Sequence, residues 1–233
     1  MCGRATLVSG IKNVEKLFGV SFDNEVAGSW SNFFPNYNLA PTHYLPALIN
    51  DEEKSLVLLR WGLIPFWAKD EKIGYKMINA RAETIREKPA YKTAFQRRRC
   101  VVAVDGYYEW QGKEKLPWRI GVADDTPFGI AAIWEERKGA DGIPLRTVSL
   151  ITRPAVKELE HIHDRMPLTL LSNTFDHWLN EPLSSDSDWS DFVNTALLPL
   201  DKVYRVSKRV NSVRNNDPDC ILPDKGGEQL SLF

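Results

Sequence analysis

What most constrains this chain is a succession of short β-rich runs separated by Gly, Pro and Asp turn signals. ATLV, PALIN, SLVLLRW, CVVAVDGYYEW, WRIGVA, FGIAAIW, RTVSLIT, MPLTLL and KVYRV follow one another along most of its length. Helical patterns are fewer: GIKNVEKLFG after Ser9, RAETIREKPAYKTAFQRRR broken near Pro89, AVKELEHIH after Pro154, TFDHWLN and SDWSDFVNTA. Strands that do not alternate regularly with helices cannot build a doubly wound parallel sheet. They predict an α+β domain with a mostly antiparallel curved sheet or barrel-like core and peripheral helices. No internal repeat, low-complexity tract or long linker divides the chain, so residues 1–223 read as one domain. Residues 224–233 read as a flexible tail beyond Gly226 and Gly227.

Composition narrows the function classes. With 233 residues, 43% hydrophobic and 26% charged, the chain is ordinary for a globular fold with a sizeable core. The first residues are broken by Arg4, Lys12, Glu15 and Lys16, and no stretch is apolar enough to span a bilayer, so a cytoplasmic protein is expected. A net charge of −1 gives nucleic acid no general attraction, and any such binding must come from local patches. The cysteines are Cys2, Cys100 and Cys220, an odd number at spacings that suit neither a disulfide framework nor a zinc site. Cys100, inside CVVAV, reads as a small buried hydrophobe. Cys2 is different, because a thiol at the frayed start of a domain is awkward to bury.

If Met1 is removed, which a small second residue permits, Cys2 carries an α-amine and a thiol on adjacent carbons. The amine titrates at about 7.7–8.0 and the thiol at about 8.5, so both nucleophilic forms are available near neutral pH. An aldehyde is the matching electrophile: the amine forms an imine and the sulfur closes on the same carbon to give a thiazolidine. An N-terminal nucleophile hydrolase, with the amine as base, is the alternative.

Three segments can serve such a nucleophile. INARAET places Asn79 and Arg81 two residues apart, on one face if the segment is extended; a helix cap at Asn79 is an equal reading. VDGYYEW sets Glu109 between large aromatics, where desolvation would raise its pKa into the range useful for acid and base work, unless it is a solvent-facing strand residue. HIHDRMPLTL leads with His161 and His163. No third ligand stands at a recognised spacing, so no metal or other cofactor is expected. His163, at the turn into RMP, is the better candidate for an exposed imidazole, and His161 for a contact at a helix C-terminus.

MCGR, NLAPT, RWGLIPFWAKD, INARAET, DGYYEW and HDRMP, in this order and over nearly the whole chain, resemble the SOS response-associated peptidase (SRAP) family. The resemblance implies shielding of abasic sites in single-stranded DNA through a thiazolidine crosslink between the N-terminal cysteine and the ring-opened deoxyribose. It carries the family's functional positions onto Cys2, Asn79, Glu109 and His163. The expected roles follow from their chemistry: Glu109 moves protons in ring opening and imine formation, and Asn79 orients the amine. His163 serves the sugar oxygen and 3′ phosphate, and with them strand cleavage by β-elimination or reversal of the crosslink.

Arg4, Arg81 and Arg165 flank the reactive motifs as phosphate partners, Trp67 and Trp110 offer stacking faces, and Lys208 and Arg209 extend the track. Trp61 and Trp118 are read as core. A peptidase and a non-catalytic single-strand binding module stay open as rival classes. Finally, QLSLF at the C-terminus resembles the peptide by which bacterial replication proteins dock on the β sliding clamp, making Gln229, Leu230, Leu232 and Phe233 candidate clamp contacts. A monomer is expected.

Overall fold

The computed structural model describes residues 2–50, 53–139, 142–224 and 229–231, with Asn50 and 229–231 described by their backbone. The predicted α+β architecture is present. Strands β1 (Ala5–Leu7), β2 (Asn36–Leu39), β3 (Tyr44–Asn50), β4 (Lys54–Trp61), β5 (Asn79–Arg81), β6 (Arg99–Val104) and β7 (Gly106–Gln111) come first. They are followed by β8 (Leu116–Gly121), β9 (Phe128–Lys138), β10 (Pro144–Pro154), β11 (Arg165–Pro167), β12 (Thr169–Leu170), β13 (Lys202–Arg205) and β14 (Gln229–Ser231). Helices α1 (Ile11–Phe18), α2 (Asn24–Ser29), α3 (Pro89–Arg97), α4 (Phe175–Asn180) and α5 (Asp186–Thr195) lie outside them.

The long strands close on themselves. β10, β4, β3, β6 and β9 are paired in sequence, and β9 pairs back onto β10 from Pro144↔Lys138 to Leu150↔Ala132, which completes a barrel. Within this barrel the β4–β10 seam is parallel and the other four seams are antiparallel. The apolar runs of β6 and β9 explain the closure: Val101, Val102, Ile130 and Ala131 are wholly buried, and full pairing removes their edges from water. α4 and α5 cover this core with an aromatic cluster in which Trp178, Trp189 and Phe192 lie 5.7–6.1 Å apart. Trp178 Nε1 donates to the carbonyl of Cys100 at 2.8 Å. As expected, Cys100, Trp61 and Trp118 are core residues.

A second sheet, ordered β14-β13-β8-β7-β1-β2, leans on the barrel. The run CVVAVDGYYEW is divided between the two sheets: it is β6 of the barrel up to Val104 and β7 of the outer sheet from Gly106, with Asp105 at the corner. The predicted helix after Pro154 does not form. Residues 157–162 make consecutive turns, with the amide of His163 on the carbonyl of Leu159 at 3.1 Å, because the segment must fold back at once so that β11 can pair with β10. The predicted helix upstream of Pro89 is absent too. Asn79–Arg81 is drawn into a parallel pairing with β10, and the helix starts only where proline can occupy its first position.

Candidate functional site

The site is built on the corner at Asp105. This fully buried carboxylate accepts from Thr6 Oγ1 at 2.7 Å and from the amides of Val8 and Ser9 at 2.6 and 2.9 Å, so it fixes the strand that follows the N-terminus. Arg119, also buried, pairs with it at 3.4 Å and donates to its carbonyl at 2.9 Å. Gly106 makes this possible, since a Cβ there would stand 2.8 Å from the guanidinium. Sequence reasoning missed both residues. The available signals were an aspartate splitting an apolar run and an arginine inside WRIGVA.

Held in this way, β1 lies between β2 and β7, with Ala5 opposite Leu39 on one side and Tyr107 on the other. The Arg4 carbonyl extends the ladder by accepting the Tyr108 amide at 2.9 Å. Cys2 is consequently fully buried, which corrects the expectation of a thiol too close to the terminus to be enclosed. Burial, and secondarily the charge of Glu109, push its thiol well above the ordinary range. Asn79 Nδ2 donates to the Cys2 carbonyl at 2.6 Å. Asn79 is therefore a strand residue aimed at the terminus and not a helix cap, and its own carbonyl accepts from Tyr91 at 3.1 Å.

Glu109 lies on β7 opposite Trp118 and is 2% exposed, so the solvent-facing alternative is excluded. Burial pushes its carboxyl up to about 7. His163 Nε2 lies 4.0 Å from Glu109 Oε2. Its Nδ1 accepts the Arg165 amide at 3.0 Å, which leaves the proton of the neutral ring on Nε2, the nitrogen nearer Glu109. Burial lowers the His163 pKa and favours that neutral form, while exposed Asp164, 2.8 Å from Nδ1, supports the protonated one. Without the predicted helix, His161 is not at a helix end: its carbonyl accepts from Gln111 Nε2 at 3.1 Å and its ring meets Trp118 edge-on.

The flanking cations differ in how they are held. Arg4 is half-buried, donates to Asn38 Oδ1 at 2.6 Å and to the Val210 carbonyl at 2.7 Å, and lies 5.6 Å from the Trp110 ring centroid. Trp110 is anchored in turn by Asn211 at 2.7 Å, and Asn38 donates to the carbonyls of Ser212 and Asn215. These contacts bring the Lys208–Asn211 turn to the site, a link that sequence spacing could not reveal. Arg165 grips Glu83 with both terminal nitrogens and the Thr152 carbonyl at 2.7 Å. Arg209 is paired with Asp217 at 2.5 Å. Arg81 and Lys208 are exposed, and Trp67 is 52% exposed. The structure thus gathers Cys2, Asn79, Glu109, His163, Arg4 and Trp110 around one corner.

The arrangement combines a held N-terminal segment, a carboxyl poised near neutrality and a neutral imidazole, which together can shuttle protons to and from a carbonyl adduct. A family model described as SOS response associated peptidase (SRAP) matches residues 1–213. The chain is 41% identical over 230 residues to Abasic site processing protein YoqW of Bacillus subtilis (strain 168), covering 95% of this chain and 99% of that protein. It is 31% identical over 280 residues to Abasic site processing protein HMCES of Xenopus tropicalis, covering 99% and 82%. Among solved structures, a Bacteroides thetaiotaomicron protein superimposes with a TM-score of 0.79 at 25% identity, over 96% of this chain and all of that one.

Proposed function

The chain belongs to the SOS response associated peptidase (SRAP) family, and from that membership we propose that it processes abasic sites in single-stranded DNA by covalent capture. Met1 leaves first, cut by an aminopeptidase or by the same residues acting on their own terminus. The Cys2 amine then adds to the C1′ aldehyde of the ring-opened sugar, and the carbinolamine loses water to give an imine. Sulfur adds to the imine carbon, the thiol proton passes through Glu109 to the nitrogen, and a thiazolidine results with one water released overall.

The observation that carries this reading is the placement of Glu109. A thiol whose pKa is raised by burial needs a base at hand, and a buried carboxyl near 7 can take a proton and return it at neutral pH. Asn79 holds the Cys2 carbonyl and so aims the amine, while His163, neutral and beside Glu109, serves the sugar oxygen. The test is a denaturing gel of protein mixed with single-stranded oligonucleotides with and without an abasic site. A heat-stable adduct on the abasic strand alone is expected. Its absence from protein whose intact mass confirms loss of Met1 removes the proposal.

The C-terminal motif supports recruitment to a β sliding clamp through Gln229, Leu230, Leu232 and Phe233. The backbone of 229–231 pairs with β13, while Leu232 and Phe233 lie outside the described residues. Titration of purified clamp against the full chain and a form ending at Gly227 decides it, and equal binding of both forms removes the assignment.

A further inference from the structure

Strand β5 carries Asn79 and Arg81 on only three residues, and its sole strand partner among the described residues is β10. In a parallel pairing alternate residues bond the neighbour: the Leu150 amide donates to the Ile78 carbonyl at 3.0 Å and the Ala82 amide to the Thr152 carbonyl at 2.8 Å. The Asn79 carbonyl faces the opposite edge, where no strand meets it among the described residues. Three buried aromatic side chains secure the segment instead. Trp61 Nε1 donates to the Ile78 carbonyl at 3.0 Å, the Tyr91 hydroxyl to the Asn79 carbonyl at 3.1 Å, and Trp189 Nε1 to the Ala82 carbonyl at 2.8 Å.

Of the three, Tyr91 acts at Asn79 itself. It follows closely on Pro89, which opens α3, and the helix turns it inward with Ala94 and Phe95, at the i, i+3, i+4 spacing of one face. Phe95 meets Trp189 edge-on at 5.1 Å, so the holds on Asn79 and Ala82 rest on one packed unit of α3 and α5. Burial pushes the Tyr91 pKa up, which keeps its hydroxyl protonated and able to donate. From the Asn79 backbone only two side-chain torsions lead to the amide that donates to the Cys2 carbonyl at 2.6 Å. A shift of that backbone is therefore passed directly to the contact with the N-terminal cysteine.

We infer that Tyr91 is a positioning residue for covalent capture: through the Asn79 carbonyl it fixes the asparagine that aims the Cys2 amine. This deepens the abasic-site reading and rests on it, while the contact itself can be followed without DNA. Tyr91→Phe removes the hydroxyl and keeps the ring. In single-turnover capture of an abasic single strand it lowers the rate at saturation about tenfold, the worth of one well-placed hydrogen bond, and leaves the half-saturating DNA concentration unchanged. In an Asn79→Ala background the same change has no further effect, because the two residues act in series. Trp178→Phe, which removes the donor to the Cys100 carbonyl, lowers the denaturant midpoint and leaves the capture rate unaltered. In protein carrying isotope-labelled asparagine, Tyr91→Phe speeds hydrogen exchange at the Asn79 side-chain amide about tenfold. Unchanged exchange at Asn79 in folded Tyr91→Phe protein overturns the inference, and so does an unchanged capture rate. A tenfold loss that persists in the Asn79→Ala background also overturns it, since Tyr91 would then be a general support. Failure of the capture reading is distinguishable: wild-type protein then forms no adduct at all, and the positioning role falls with it.

Discussion

On the closed barrel, β6 and β9 bury Val101, Val102, Ile130 and Ala131 completely; the sheet beside it buries Asp105, Glu109 and Arg119. Apolar burial stabilises in proportion to area, with no consequence for protonation. Buried charge is costly unless it is met by partners, and the outer sheet meets it in two ways at two carboxyls four residues apart. At Asp105 a guanidinium, two hydroxyls and two amides surround the carboxylate. At Glu109 the facing group is an imidazole whose own pKa is lowered, and the carboxyl rises to about 7. The compensated charge fixes the architecture, and the one left near neutrality is available for chemistry.

The sharpest way to break this contrast is at the proposed nucleophile. Cys2→Ala should abolish the heat-stable adduct, and a non-cleavable residue added before Cys2 should be equally damaging. Adduct formation by the extended protein on a denaturing gel would contradict a mechanism that needs the amine.

Glu109→Gln comes next. It should slow adduct formation by roughly 10²–10⁴-fold and erase an inflection near pH 7 in the wild-type pH–rate profile. The same carboxyl has a stability signature. Its folded pKa is raised, so the penalty of ionising it is absent below the unfolded value of 4.5, grows as pH rises, and is complete above about 7. Glu109→Gln should thus be more stable than wild type at pH 8, by on the order of 3 kcal/mol, and equal to it at pH 4. Denaturant melts at the two pH values measure this, and a difference that grows toward acid pH would reverse the assignment.

At the compensated charge the sign is opposite. Asp105→Ala leaves the half-exposed Asp125, 3.2 Å away, as the carboxylate on buried Arg119, strips Thr6, Val8 and Ser9 of their acceptor, and should cost about 3–5 kcal/mol at neutral pH, measured by denaturant midpoint. A cost under about 1 kcal/mol would mean that the corner does not depend on this pair. The smallest effect belongs to the barrel: Ile130→Val should cost about 0.5–1.5 kcal/mol and leave the rate of adduct formation unaltered. A change in that rate would show that the barrel does more than carry the site.

The apolar runs were enough to establish an antiparallel α+β domain with a barrel-like core, because alternation and turn residues are local signals that survive in one dimension. The same is true of α1, whose pattern ends at Gly19 with φ 67, and of Cys2, Asn79, Glu109 and His163, which carry distinctive chemistry in short motifs. Tertiary structure decided the rest. Pairing with β10 drew Asn79 into a strand and barred a helix there, and a fold-back to β11 replaced the helix expected after Pro154. Enclosure of Cys2 depends on β2 and β7, which lie more than thirty and a hundred residues away along the chain, and on the Asp105–Arg119 pair behind them. Propensity acts over a few residues, whereas burial and its effect on a pKa depend on whatever the whole chain brings alongside. The sequence could therefore name the candidate groups, and only the packed structure could decide which of them is held near neutrality.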